Sequence, residues 1–308
     1  MIASPAVSIR IDLAHIRENV RQIASRTRVP IYAVVKADAY GLGVVPVTDA
    51  IKDLVEAWCV FSLSEAAEAR LFQRTGRPSI TLGPAASLWP ADYIEHHVRP
   101  GVSTVEQAAA LCRADPLLCV DTGMQRFACP PERVEAVLQA AHCREAFTHA
   151  TTLEHARKLR GLLDGRGLRL HAAASSLLEE PEALLDAVRP GLAMYRGALH
   201  VSARLIEAGS AAGPLGYTGF KAPRHGVILC GYSNGLRKGP CLVNGQRRQI
   251  LEVGMQSAYV EVGPADRAGD AVVLMGEGLS EDEVAAAWAS TPHEAILALS
   301  HAGRRQYV

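Results

Sequence analysis

IYAVVKADAYGLG, residues 31–43, is the stretch on which the reading of this chain turns: an apolar run rich in β-branched residues ends in a lysine, and a Gly-rich loop follows. A short continuous apolar run of this kind suits a strand buried on both faces. A lysine at the C-terminal end of such a strand has two readings. Either it snorkels out to water, or it is held partly out of water with a lowered pKa and an amine free to form a Schiff base.

Outward from Lys36 the same texture repeats. Candidate strands stand at Trp58–Phe61, Ile80–Leu82, Val98–Val102, Leu117–Val120, Phe147–His149, Leu168–Ala172 and Val188–Ala193. Amphipathic helical patterns separate most of them, at Ser64–Phe72, Val105–Arg113, Glu132–Ala141, Leu153–Leu163 and Pro181–Val188, and Ser62 with Glu65 has capping-box spacing. Before them, Val7–Ile11 reads as a strand, and Asp12 caps a helix with Leu13, Ile16, Val20 and Ile23 on one face. Counted with Ile31–Val35, the strands fit a closed (β/α)8 TIM-type barrel with its ligand site at the C-terminal strand ends, although the pattern alone also allows a doubly wound sheet.

After about Gly197 the texture becomes strand-like with tight turns: Leu199–Leu205, Gly226–Gly231, Cys241–Val243, Gln249–Val253, Ala258–Val262 and Ala271–Met275, with Asn244-Gly245 as a hairpin cue. Short helical patterns close the chain at Glu281–Ala289 and Pro292–Leu299. The expected class is therefore α/β, with a barrel over 11–197 and a second, mostly β C-terminal domain over 198–308 that includes an N-terminal strand within 1–10.

The 308 residues are 49% hydrophobic and carry 32 basic against 32 acidic side chains, with no run of Lys or Arg longer than two. That balance argues against a nucleic-acid partner, and no apolar run approaches the ~20 residues of a membrane span. The opening residues MIASPAVSIRID lack a signal-peptide pattern, so the expected location is cytoplasmic. Cysteines at 59, 112, 119, 129, 143, 230 and 241 form no CxxC pair, which fits reduced thiols and suggests no metal site.

Six stretches, taken in order, resemble the alanine racemase family: the lysine motif above, VDTGMQR (120–126), THA (148–150), HAAAS (171–175), VRPGLAMY (188–195) and GYSNG (231–235). Each is weak alone; their order across nearly the whole chain is specific. The resemblance implies a barrel plus a β domain, a head-to-tail homodimer, pyridoxal 5'-phosphate as cofactor and a small amino acid as substrate. Lys36 would carry the cofactor covalently and act as base on one face of the substrate, and Tyr232, from the partner subunit, would act on the other. Inversion needs both, because a proton leaves one side of Cα and returns to the other.

By the same resemblance Arg189 would face the cofactor's ring nitrogen and disfavour its protonation, weakening the electron sink and discouraging transamination. His171 would orient Arg189 and Tyr232, and His149 would pack on the ring face. Ser175, the backbone of Gly191 and Leu192, Tyr40 and His293 would hold the phosphate. Arg126 would meet the cofactor's phenolic oxygen and the substrate carboxylate, which Met255 would also meet through its backbone.

The chain departs from the family pattern at several points. Cys119 stands where many members have a carbamylated lysine, and a thiol cannot supply that charge to Arg126. Gln256 replaces an aspartate, His293 replaces a tyrosine, and the gate motif ends Ser233-Asn234-Gly235-Leu236. The region between Tyr232 and Met255 is abbreviated relative to the family. A widened gate would shift preference toward side chains larger than alanine's. Two further readings stay open at this level: an aldolase or epimerase using the same cofactor, and a non-catalytic cofactor-binding protein. A cofactor-free Schiff-base aldolase is a third.

Overall fold

A computed structural model describes residues 6–308; residues 1–5, part of the expected strand region 1–10, lie outside the described residues. The chain divides into two compact units, one of Ile16–Ala39 with Gly43–Met194, the other of the chain up to His15 with Tyr40–Leu42 and Tyr195–Val308.

The first unit is a closed parallel barrel. Tyr32–Val34, Ala57–Val60, Ser79–Thr81 and Val98–Arg99 pair in sequence order, as do Gly101–Val102, Leu117–Cys119, Glu145–Phe147 and Arg169–His171. Only Pro100 separates the two sets, so Val98–Val102 is one barrel strand broken where a residue without an N–H cannot continue the ladder. The eighth position closes the ring: Val188 bridges Ile31, and Ala187 bridges His171. Tyr32 N donates to Val188 O at 2.9 Å and Arg189 N to Ala173 O at 2.8 Å. Every residue of Ala57–Val60 is buried, as a strand covered by helices on one face and barrel core on the other must be.

Some expected bounds shift, for local reasons. The strand expected at Val188–Ala193 is reduced to single bridges, because Pro190 lacks a donor and the chain enters a short helix at Leu192–Tyr195. The helix expected over Pro181–Val188 stops at Leu184, where Leu185 takes φ 51°. The one expected over Ser64–Phe72 splits into Leu63–Glu68 and Leu71–Thr75 around Arg70 at φ 47°. Asp12 caps Leu13–Thr27 as expected, its Oδ1 accepting from His15 N at 2.8 Å, and Ile16, Val20 and Ile23 are buried.

The second unit is an eight-stranded sheet in the order Arg224–Ile228, Ala258–Glu261, Gln246–Val253, Pro240–Val243, Ala271–Met275, Leu199–Ser210, Val7–Ile11 and Arg304–Tyr307. Leu199–Ser210 is longer than expected and bends at a bulge between Leu205 and Glu207; its far half pairs with Arg224–Ile228 and so closes six of the strands on themselves. The final strand, Arg304–Tyr307, was not anticipated: it is polar and pairs parallel to Val7–Ile11. Asn244 and Gly245 take φ 49° and 75°, as a two-residue hairpin requires. No helix among the described residues is long and apolar enough to cross a membrane, and no three His, Cys, Asp or Glu side chains among them are grouped to hold a metal.

Candidate active site

Lys36 follows the buried strand Tyr32–Val34 and is half-buried at the end of it. Beyond it the backbone makes a left-handed turn: Ala37, Asp38, Ala39 and Tyr40 have φ of 52°, 54°, 54° and 59°. Non-glycine residues pay roughly 1–2 kcal/mol each in that region, so the turn persists only because its surroundings hold it. Ala39 N donates to Val35 O at 2.9 Å, Gly43 N to Asp38 O at 2.9 Å, and Val44 N to Asp38 Oδ1 at 2.7 Å.

Glu65 supplies the remaining restraint. Its N–H meets Ser62 Oγ as expected of a cap, but its carboxylate does not close the box; it accepts instead from Ala37 N at 3.0 Å and Phe61 N at 2.7 Å. Glu65 is therefore a site residue that the sequence disguised as a helix cap.

The chain ends of other barrel strands bring cations toward the Lys36 amine. Burial, then the charges of Arg126 and Arg189, lower its pKa against the opposing pull of Glu65. His149, just past Glu145–Phe147, feels the same crowd: desolvation, Arg189, Arg126 and Lys36 push it down to about 4, so its ring is neutral at pH 7. Arg126 is exposed on a loop whose turn is held by Asp121 Oδ1, which accepts from Gly123 and Gln125 N–H. Its guanidinium lies 5.6 Å from the Phe127 ring centre, and no carboxylate pairs with it among the described residues. Cys119 is buried with its thiol pushed up to about 12, and so brings no charge to Arg126.

Arg189 is 3% exposed. Its Nη2 donates to Thr148 O, its Nη1 lies 2.8 Å from His171 Nδ1, and its guanidinium sits 4.9 Å from the Phe147 ring centre. His171 is fully buried, with its other ring nitrogen 3.2 Å from Glu145 Oε1. The ring thus lies between two groups of the barrel, with Nδ1 toward Arg189 and Nε2 toward Glu145. Ser175 Oγ accepts from Gly191 N and Ala193 N, each at 3.0 Å, which ties that hydroxyl to the backbone opening Leu192–Tyr195 and leaves it its own proton to donate.

The second unit brings together the other expected residues. Tyr40 lies between Tyr195, at 5.0 Å between ring centres, and His293, at 5.4 Å. Tyr195 was not anticipated; its place in an apolar-looking LAMY segment hid it. Tyr232 opens a 3-10 turn and is 57% exposed. It is held beside Met255: Tyr232 N donates to Gly254 O at 2.9 Å, and Ser233 N and Oγ donate to Met255 O at 3.0 and 2.7 Å. Met255 O is therefore occupied. A Cβ on Gly231 would lie 2.3 Å from that oxygen, which is why the motif begins with glycine.

Comparison with known proteins agrees along the full length. Residues 11–198 match the family model "Alanine racemase, N-terminal domain" and residues 205–307 match "Alanine racemase, C-terminal domain". The alanine racemase of Pectobacterium atrosepticum is 29% identical, covering 100% of this chain and 99% of its own. The biosynthetic alanine racemase of Escherichia coli K12 is 28% identical, covering 100% of each chain. Among solved structures, the biosynthetic alanine racemase of Pseudomonas aeruginosa superposes with a TM-score of 0.89 at 25% identity, over 99% of this chain and 100% of the other. That of Bartonella henselae, with covalently bound pyridoxal phosphate, gives a TM-score of 0.88 at 20% identity over 98% and 99%.

Proposed function

The chain belongs to the alanine racemase family, and from that premise we propose that it is a pyridoxal-phosphate-dependent racemase interconverting the L and D forms of alanine or of a related, larger amino acid. The observation that carries the reading is the convergence of Lys36, Arg126, His149 and Arg189 at the C-terminal ends of the barrel strands, with Glu65 as the carboxylate acting on the amine. Such an excess of donors and cations suits an anionic ligand. An amine of lowered pKa beside them suits an aldehyde, and a serine hydroxyl that accepts from two N–H groups and keeps its own proton to donate suits a phosphate. The donor set thus fits pyridoxal 5'-phosphate, which when bound supplies an electron sink that acidifies the substrate Cα–H.

The chain's own residues divide the remaining work. Lys36 would hold the cofactor, and its amine would take or return the Cα proton on one face, with the partner subunit's Tyr232 doing so on the other. Arg189, a donor that cannot lose its proton, would disfavour protonation of a ring nitrogen placed against it, and His149 would pack on the cofactor ring. Ser175, Gly191, Leu192, Tyr40 and His293 bind phosphate. Arg126 and the Met255 backbone hold the substrate carboxylate, and since Met255 O is tied to Ser233, the contribution of Met255 is its N–H. His171 acts through Arg189. The functional division is a cofactor domain over 11–197 and a β domain over 198–308 with the N-terminal strand, working as a head-to-tail homodimer in the cytoplasm. The seven free cysteines accord with that compartment.

The test combines the absorption spectrum of the purified protein with chiral product analysis over a panel of amino acids in heavy water. Racemisation installs deuterium at Cα, whereas retro-aldol cleavage releases an aldehyde. Tyr232→Phe retains the bound cofactor, slows racemisation in both directions by on the order of 10²-fold and loses Cα–H exchange selectively from the enantiomer whose proton faces that phenol; unaltered turnover in both directions in that variant rejects the two-base assignment.

A further inference from the structure

The barrel holds one buried carboxylate that the roles above leave unused. Glu145 opens the strand Glu145–Phe147 and is 3% exposed, a costly place for a charge unless it is paired. Its Oε2 accepts from Arg99 Nη1, and its Oε1 faces His171 Nε2 at 3.2 Å, off the line of an ideal hydrogen bond. Across the ring, His171 Nδ1 faces Arg189 Nη1 at 2.8 Å.

A guanidinium only donates, so Nδ1 must present its lone pair, and the proton of a neutral imidazole must then sit on Nε2, toward Glu145. Charge agrees with this. Burial, with the nearby Arg189, brings His171 down to about 4; Glu145, although buried, is held at about 2 by His171 and Arg99. The ring itself is clamped, stacked at 5.4 Å on Phe147 and met edge-on at 5.1 Å by Tyr32. Arg189 touches carbonyls and an aromatic face but no carboxylate. Of the groups whose negative charge would steady it, Cys59 and Cys119 are thiols pushed up to about 12, which leaves Glu145.

We propose that Glu145 is a positioning residue for the cofactor site: it fixes the Nε2–H tautomer of His171, which gives buried Arg189 its acceptor, and it supplies through that ring the countercharge for the guanidinium. The inference rests on the racemase reading for its consequence, since Arg189 is there the group that faces the cofactor ring. Glu145→Gln isolates the effect. Arg99 only donates, so the single amide oxygen turns to Arg99 and the NH2 turns to His171 Nε2; the imidazole proton is then forced to Nδ1, against Arg189.

The experiment is long-range proton–nitrogen NMR of the histidine rings in the wild-type protein and in E145Q, with cofactor affinity and absorption spectrum measured on each. The expected result is Nε2–H on His171 in the wild type, loss of that tautomer in E145Q, and cofactor binding weaker by about tenfold with an altered spectrum. In the Arg189→Lys background E145Q should weaken cofactor binding less than twofold further, because the two residues act as one unit. An Nδ1–H tautomer in the wild type overturns the proposal without any variant having to fold. So does an E145Q protein with unchanged affinity and spectrum, or a cycle in which the two losses simply multiply. A wild-type protein that takes up no pyridoxal phosphate sinks the racemase reading instead, and the tautomer still reports on the Glu145–His171–Arg189 chain by itself.

Discussion

Gly41 follows the left-handed turn of the lysine motif, and its replacement by alanine separates two physical effects when Gly245 serves as control. Gly41 has φ +79° and Gly245 φ +75°, so both variants carry the same conformational penalty of about 1 kcal/mol. They differ in space. Nothing lies within 4 Å of a Cβ at position 245, whereas one at position 41 would lie 2.0 Å from Ser300 Oγ and 3.1 Å from both His301 Cε1 and Leu297 Cδ1.

Ser300 is fully buried and its hydroxyl donates to Leu297 O at 2.8 Å, so it cannot step aside without giving up that bond. Overpacking and a lost buried hydrogen bond together add about 2–4 kcal/mol. Gly41→Ala should therefore destabilise by about 3–5 kcal/mol and Gly245→Ala by about 1 kcal/mol. Urea unfolding of both variants at equal cofactor saturation, followed by circular dichroism, gives the two values. If Gly41→Ala loses no more than Gly245→Ala, the collision with Ser300 is not a real constraint and the packing argument for this glycine fails.

Two further expectations follow from burial. His171 has a folded pKa of about 4 against an ordinary 6.5. Because the folded value is depressed, the unfolded chain takes up the proton first as pH falls, so stability is intact above about pH 7 and declines from there toward pH 4, with about 2 kcal/mol lost by pH 5. Glu145, held at about 2, adds its own loss only below its ordinary value of 4.5, so the limb between pH 7 and 5 belongs to the histidines, buried His171 together with His149, which is also pushed down to about 4. A urea midpoint that stays flat from pH 7 to 5 would contradict this. Cys112 is the exposed thiol, while Cys59, Cys119, Cys129, Cys143, Cys230 and Cys241 are buried; a thiol reagent should label Cys112 rapidly and the others only in denaturant, as mass spectrometry of timed samples would show.

Much of the fold was legible because strand and helix announce themselves by apolar period, and turns by their residues. The buried run before Lys36, the helix face of Ile16, Val20 and Ile23, and the Asn244-Gly245 hairpin all stand where the pattern put them. The misreadings have one source. Arg304–Tyr307 is a polar edge strand recruited by its neighbour Val7–Ile11, and Leu185 and Arg70 end helices by backbone angles that their side chains do not signal.

The candidate site divides along the same line. Residue types in motif order pointed to Lys36, Arg126, His149 and Arg189 because each chemistry demands a particular side chain. Glu65 looked like a helix cap, and Glu145 lay outside the strand expected at Phe147–His149, which the structure places at Glu145–Phe147; a carboxylate's role depends on which donors reach it. By itself, then, the sequence determined most of the elements, which rest on local pattern, while the barrel and the candidate amine of Lys36 came from the order of the motifs. Only the tertiary structure decided the left-handed turn, the buried place of His171 between Glu145 and Arg189, and the line from Arg99 through Glu145 to Arg189. The register of neighbouring parallel strands brings together residues far apart in the chain, and their exclusion from water sets what each charge can do.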